Sequence, residues 1–117
     1  MAFLILYVDG LKPFDPDAVD NAMIGSGGIR TTASYGDAIA TYLYEHASDR
    51  TVVLLKNDLE TIKIDGTGEA SLDIAIKIQK DIAEPLHLID EAYTFDLVLA
   101  DFRSISELAK TIHESGG

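Results

Sequence analysis

Cysteine is absent from this 117-residue chain. That excludes a disulfide framework, a thiolate nucleophile and a thiolate metal site, and it is compatible with a reducing compartment. Cations are scarce: nine Lys and Arg stand against twenty Asp and Glu, for a formal net charge of −11. With no basic stripe to release counterions, nucleic-acid binding is disfavoured, and anionic lipid is repelled as well. Long apolar runs are missing too. The apolar opening, Met1 to Val8, is too short to cross a bilayer and lacks a positive flank and a small-residue cleavage site. These absences predict a cytoplasmic protein with no membrane segment. No repeat, low-complexity tract or linker breaks the chain, so residues 1–117 are read as a single domain.

What is present is an ordinary globular composition, 47% hydrophobic and 25% charged, enough for one self-supporting core. The acidity has two readings. It keeps a protein soluble, or it steers a cationic partner inward.

Turn and cap signals divide the chain. Residues 1–8 read as a strand ending at Asp9-Gly10. Asp15-Pro16-Asp17 supplies an N-cap, a proline at the first helical position and a first-turn acid. Val19, Ala22 and Met23 follow as one apolar stripe, and Gly25 to Gly28 end that helix. Strands are predicted at 29–34, 38–45, 51–56 and 59–65, with Tyr35-Gly36-Asp37 as a turn. Residues 70–84 fit two patterns. Leu72, Ile74, Ile76 and Ile78 alternate as in a strand, yet Leu72, Ala75, Ile76, Gln79, Ile82 and Ala83 share a helical face. Opposite charges at i, i+4 (Asp73–Lys77, Lys77–Asp81, Lys80–Glu84) and the stop at Glu84-Pro85 favour the helix. Residues 86–90 read as a connector and 93–99 as a strand with Tyr93, Phe95, Leu97 and Leu99 on one face and Asp96 on the other. Ser104 to Glu107 form a capping box for a last helix that buries Ile105, Leu108, Ala109 and Ile112 before the chain frays at 115–117. The order predicts an α+β domain: a mainly antiparallel four- to six-stranded sheet with helices packed on one face, close to a split βαβ arrangement.

Catalytic and cofactor motifs are not recognisable. The Gly25 to Gly28 cluster has neither the P-loop lysine nor dinucleotide spacing, and it ends a helix where those motifs open one. His46, His87 and His113 stand singly, without metal spacing. An Asp90-oriented His87 could act as a general base, against a structural or interfacial histidine. Asp15, Asp17 and Asp20 lack the glycine and glutamate of a calcium loop. No cofactor and no metal are therefore expected. From Glu84 to Phe102 there are five acids, Glu84, Asp90, Glu91, Asp96 and Asp101, no Lys or Arg, and interleaved aromatics including Tyr93. This is a solvated loop and polar strand face, or an acidic, aromatic-bearing surface for a basic partner.

At this segment the stretch Pro85-Leu86-His87-Leu88-Ile89-Asp90-Glu91-Ala92-Tyr93-Thr94-Phe95-Asp96 resembles the small acidic immunity proteins of bacterial contact-dependent and polymorphic toxin systems. The resemblance implies a function class and carries no residue role: stoichiometric protein–protein binding of a toxin domain, often a basic nuclease. The reading that follows is a non-enzymatic inhibitor whose partner surface holds Glu84, Asp90, Glu91, Tyr93, Asp96 and Asp101. Its rivals are a small enzyme or ligand-binding domain with a pocket between sheet and helices, and a subunit of a homo-oligomer.

Overall fold

The first strand runs through the middle of the sheet. In the computed structural model, which describes residues 2–32 and 36–114, β1 (Phe3–Val8) pairs antiparallel with β5 (Ile62–Asp65) on one side and β6 (Leu86–Asp90) on the other. Beyond β5 lie β4 (Asp49–Lys56), β3 (Ala38–His46) and β2 (Ile29–Thr31), and beyond β6 lies β7 (Asp96–Val98). The order is β2-β3-β4-β5-β1-β6-β7, and every pair is antiparallel. Since β5 and β6 both run against β1, they are parallel to each other. The helix α2 (Glu69–Asp81) crosses between them, so β5, α2 and β6 form a split βαβ unit with β1 inserted.

The fold class is the expected α+β, with seven strands where four to six were expected. The extra strand is β6, read from sequence as a connector. Leu86 and Leu88 face the core while His87 and Ile89 face the other way. Five residues carrying a histidine and an aspartate hold little strand signal of their own; pairing with β1 and β7 makes them one.

Alternation divides the sheet into two faces. Leu4, Leu6 and Val8 of β1, Val53 and Leu55 of β4, Ile62 and Ile64 of β5, and Leu86 and Leu88 of β6 form the buried face. The helix α2 lies over β3, β4 and β5, flanked by α1 (Pro16–Gly25) and α3 (Ile105–Glu114). Because it is enclosed by a sheet and two helices, α2 buries Leu72, Ile74, Ala75, Ile76 and Ile78 around much of its circumference. That is why its sequence also alternates like a strand. Residues 70–84 are helical up to Asp81, and Leu72, Ile76 and Ile82 are buried as expected. Each such fully buried aliphatic contributes about 1.5–3 kcal/mol.

The helix ends follow the local chemistry. Asp15 caps α1, its Oδ1 accepting from the Asp17 amide at 3.0 Å, and Val19, Ala22 and Met23 are its buried stripe. The N-cap of α2 is Gly68, which has no side chain to offer; Asp49 Oδ2, from the start of β4, accepts from the Ala70 amide at 2.9 Å instead. A Cβ at position 68 would stand 2.6 Å from that oxygen, so the close approach requires glycine. The α3 capping box forms, with the Glu107 amide donating to Ser104 Oγ at 3.2 Å. Only Leu108 of α3 is fully buried; Ile105 and Ile112 are partly buried and Ala109 is exposed, contrary to expectation. The helix stands off the sheet there, leaving a groove of about 330 Å³ lined by Leu4, Leu72, Phe95 and Ile112. The strand expected at 29–34 is β2 as far as Thr31; residues 33 and 34, Tyr35 of the expected turn, Met1 and the expected fray at 115–117 lie outside the described residues. The strand expected at 59–65 begins only at Ile62, because Leu59 adopts φ +61 in a turn.

Candidate functional site

The sheet face opposite the helices carries the densest cluster of polar side chains, at the β1–β6–β7 corner. Register places Tyr7 opposite His87, and Ile89 opposite Asp96, so all four residues share this face. The Tyr7 and His87 rings stack at 4.8 Å with an interplanar angle of 11°. Asp96 is the hub. Its Oδ1 lies 2.7 Å from His87 Nδ1, and its Oδ2 accepts from the Tyr7 hydroxyl at 2.7 Å and the Tyr93 hydroxyl at 3.0 Å. Asp9, just beyond β1, places Oδ1 3.4 Å from His87 Nε2. Burial pushes the Asp96 carboxyl up, but the hydrogen bonds from Tyr7, His87 and Tyr93 outweigh it and hold it below the usual carboxylate range. Burial and the neighbouring Asp96 push the Tyr7 hydroxyl above the ordinary tyrosine range.

Tyr93 was expected to share a face with Phe95, Leu97 and Leu99. It does not. The β6–β7 connection is a tight turn in which Asp90 Oδ1 accepts from the Thr94 amide at 2.7 Å, Asp90 Oδ2 accepts from the Thr94 hydroxyl, and the Asp90 carbonyl accepts from the Tyr93 amide at 3.1 Å. Tyr93 takes φ +56 in that turn, which breaks the alternation and leaves its ring 61% exposed. Leu99 likewise opens a 3-10 turn, Leu99–Asp101, so β7 is only three residues long. The Asp90 carboxyl is also held low: burial raises it, and the Thr94 hydroxyl and amide bonds win.

The six residues singled out from sequence separate into two groups. Asp90, Glu91, Tyr93 and Asp96 gather around the β6–β7 turn. Glu84, before β6, and Asp101, after β7, lie at the far end of the same hairpin, both exposed. Asp90 is not the carboxylate that orients His87. Three residues apart on one strand, they face opposite sides of the sheet, and Asp96 takes the role. That parity follows from β6 being a strand, which the connector reading of residues 86–90 hid. Tyr7 and Asp9 were missed, because nothing local in β1 signals that it lies beside β6.

The remaining candidates have structural uses. Asp20 accepts from the Tyr42 hydroxyl at 2.9 Å and from Arg30 at 3.2 Å, tying α1 to β2 and β3; burial, then Asp20, pushes the Tyr42 hydroxyl up to about 12. Asp73 of α2 accepts from Tyr44, Lys77 lies 3.2 Å away and His46 3.3 Å away. Among the described residues no three His, Asp or Glu side chains converge to hold a metal ion, and no helix is long and apolar enough to cross a membrane. Comparison with protein-family models, curated proteins and solved structures gave no match.

Proposed function

We propose that this chain is an immunity-type inhibitor, a non-enzymatic protein that binds a basic, toxin-like partner domain stoichiometrically and blocks it. One observation carries the reading: Tyr93 is a 61% exposed aromatic on a braced turn, ringed by carboxylates. Its backbone is fixed by Asp90 and its hydroxyl by Asp96, so little conformational entropy is lost when the ring is covered. Rigid exposed tyrosines anchor interfaces, and the acids around the turn, Glu91 and Asp96 among them, suit a cationic counterpart. The net charge of −11 adds long-range steering toward the same class of partner.

A second reading has its own observation. The Asp96–His87 pair has the geometry of an oriented general base, with the Tyr7 hydroxyl beside it. The pair lies on the open face of a sheet with the exposed Tyr93 alongside, a setting that suits a docked protein better than an enclosed substrate.

Position separates steering at the Tyr93 corner from a mere effect of net charge. With the basic protein captured from the native host, Glu91→Gln should slow association and flatten its salt dependence more than Glu84→Gln, although each removes one charge. Tyr93→Ala should raise the dissociation rate by about 30-fold, the size of a hot-spot loss near 2 kcal/mol. Equal association kinetics for Glu91→Gln and Glu84→Gln, with a Tyr93→Ala dissociation rate equal to wild type, would remove this corner as the docking site. Turnover of a small molecule that is abolished by His87→Gln would transfer the assignment to the enzyme reading.

A further inference from the structure

The β2–β3–β4 end of the open sheet face differs in chemistry from the acidic corner. Ile29 of β2 stands directly opposite Leu43 of β3, and Leu43 opposite Val52 of β4, on the face without helices. Ile29 is 66% exposed and Leu43 43%. Beside the row lies an open cavity of about 480 Å³, lined by Leu43 and Val52 together with Ala2 and Thr67. Contiguous apolar surface beside a concavity marks an interface.

Charge identifies the occupant. The whole chain carries twenty acids to nine bases, but this end is balanced. Register brings Arg50, Lys56 and Lys63 to the open face together with Glu45 and Asp65, and Asp37 is ion-paired with Lys56. Three cations thus meet three carboxylates. The charges that register brings to this surface offset one another, so a second copy meets less repulsion here than at the acidic corner, and a basic partner meets less attraction. Glu45 and Arg50 are opposite each other in register, 3.6 Å apart at the rim of the cavity. Under a two-fold axis beside them, Arg50 of each copy faces Glu45 of the other, so the rim is complementary to itself. We propose that this end of the sheet is a two-fold interface at which two copies of the chain associate, each offering Ile29 and Leu43 to the other's cavity. The β6–β7 corner stays free, so the inference stands apart from the proposed inhibitory function.

Sedimentation velocity of the full chain over a concentration series tests it. Wild type should show a concentration-dependent monomer–dimer equilibrium, and Leu43→Lys and Ile29→Lys, both at exposed positions, should weaken the dimer at least about tenfold. Circular dichroism melts check that these variants fold. Arg50→Glu should also weaken the dimer, by facing four carboxylates together, and Glu45→Arg/Arg50→Glu should restore it by exchanging the signs. A wild type that stays monomeric up to about 100 µM, a dimer indifferent to Leu43→Lys, or a double exchange that fails to rescue Arg50→Glu would each overturn the proposal. Loss of binding to the basic partner in Leu43→Lys, with wild type monomeric, would give this face to that partner and overturn it equally.

Discussion

Asp49 and Gly68 form one device made of two residues. The first residue of β4 lends its carboxylate to the first turn of α2, and the glycine at the N-cap leaves room for it. The carboxylate satisfies an orphan amide and lies at the positive end of the helix dipole. Asp49→Ala should cost about 1 kcal/mol, the usual size of a lost N-cap. Gly68→Ala should cost a similar amount, by displacing the same oxygen. The two losses describe one contact, so the double variant should cost clearly less than their sum. Urea denaturation of the four proteins measures this; strict additivity would mean that the carboxylate and the glycine act independently.

At the scale of the element, α2 is the member on which the others rest. It packs on three strands and two helices, and its 13 residues include seven buried ones. Ile76 is 5% exposed, so Ile76→Asp places an unpaired carboxylate in the core and should destabilise by several kcal/mol. A thermal midpoint equal to that of wild type would contradict the packing described here. Elements with chemical punctuation were legible in sequence: α1 from Asp15-Pro16, α3 from Ser104 and Glu107, α2 from its charge spacing and the proline after it. Elements defined by their neighbours were not. The strand β6 exists because β1 offers it an edge, and the departure of Tyr93 from β7 depends on a side chain of Asp90 closing a turn onto Thr94. The candidate site was half legible for the same reason. Its acids and Tyr93 fall in one run of sequence, whereas Tyr7 and Asp9 reach it only through long-range pairing.

For the molecule as a whole, pH reads out the polar ties between elements. Asp73, Asp90 and Asp96 are all held below the ordinary carboxylate value: burial acts against each, and hydrogen bonds from Tyr44 and Lys77, from Thr94, and from Tyr7, His87 and Tyr93 respectively prevail. A depressed folded value means that their stabilisation is present above the unfolded value, about 3.9, and is lost as pH falls through the folded one. Tyr7, Tyr42 and Tyr44 are shifted the other way, by burial first and by their carboxylate partners second, so their contribution is present below about pH 10 and is lost above it. The melting temperature should therefore decline below about pH 4 and again above about pH 10. Asp73→Asn should make the acid limb shallower. An acid limb unchanged in that variant would show that Asp73 is as easily protonated folded as unfolded.

The central position of β1 has a consequence for synthesis on the ribosome. The strand emerges before every other element described here, yet Leu6 waits for Ile62 on one side and for Leu88 on the other. Until both have left the exit tunnel, a six-residue apolar segment carries two unsatisfied edges and no sheet to join. The meander β2 to β5 can close by local hairpins in the meantime, but the hydrophobic layer beneath α2 is sealed only when β6 slides in beside β1. Non-local pairing of this kind is slow and exposes the nascent chain to wrong partners. Until β6 has emerged, β1 therefore stays open to wrong partners.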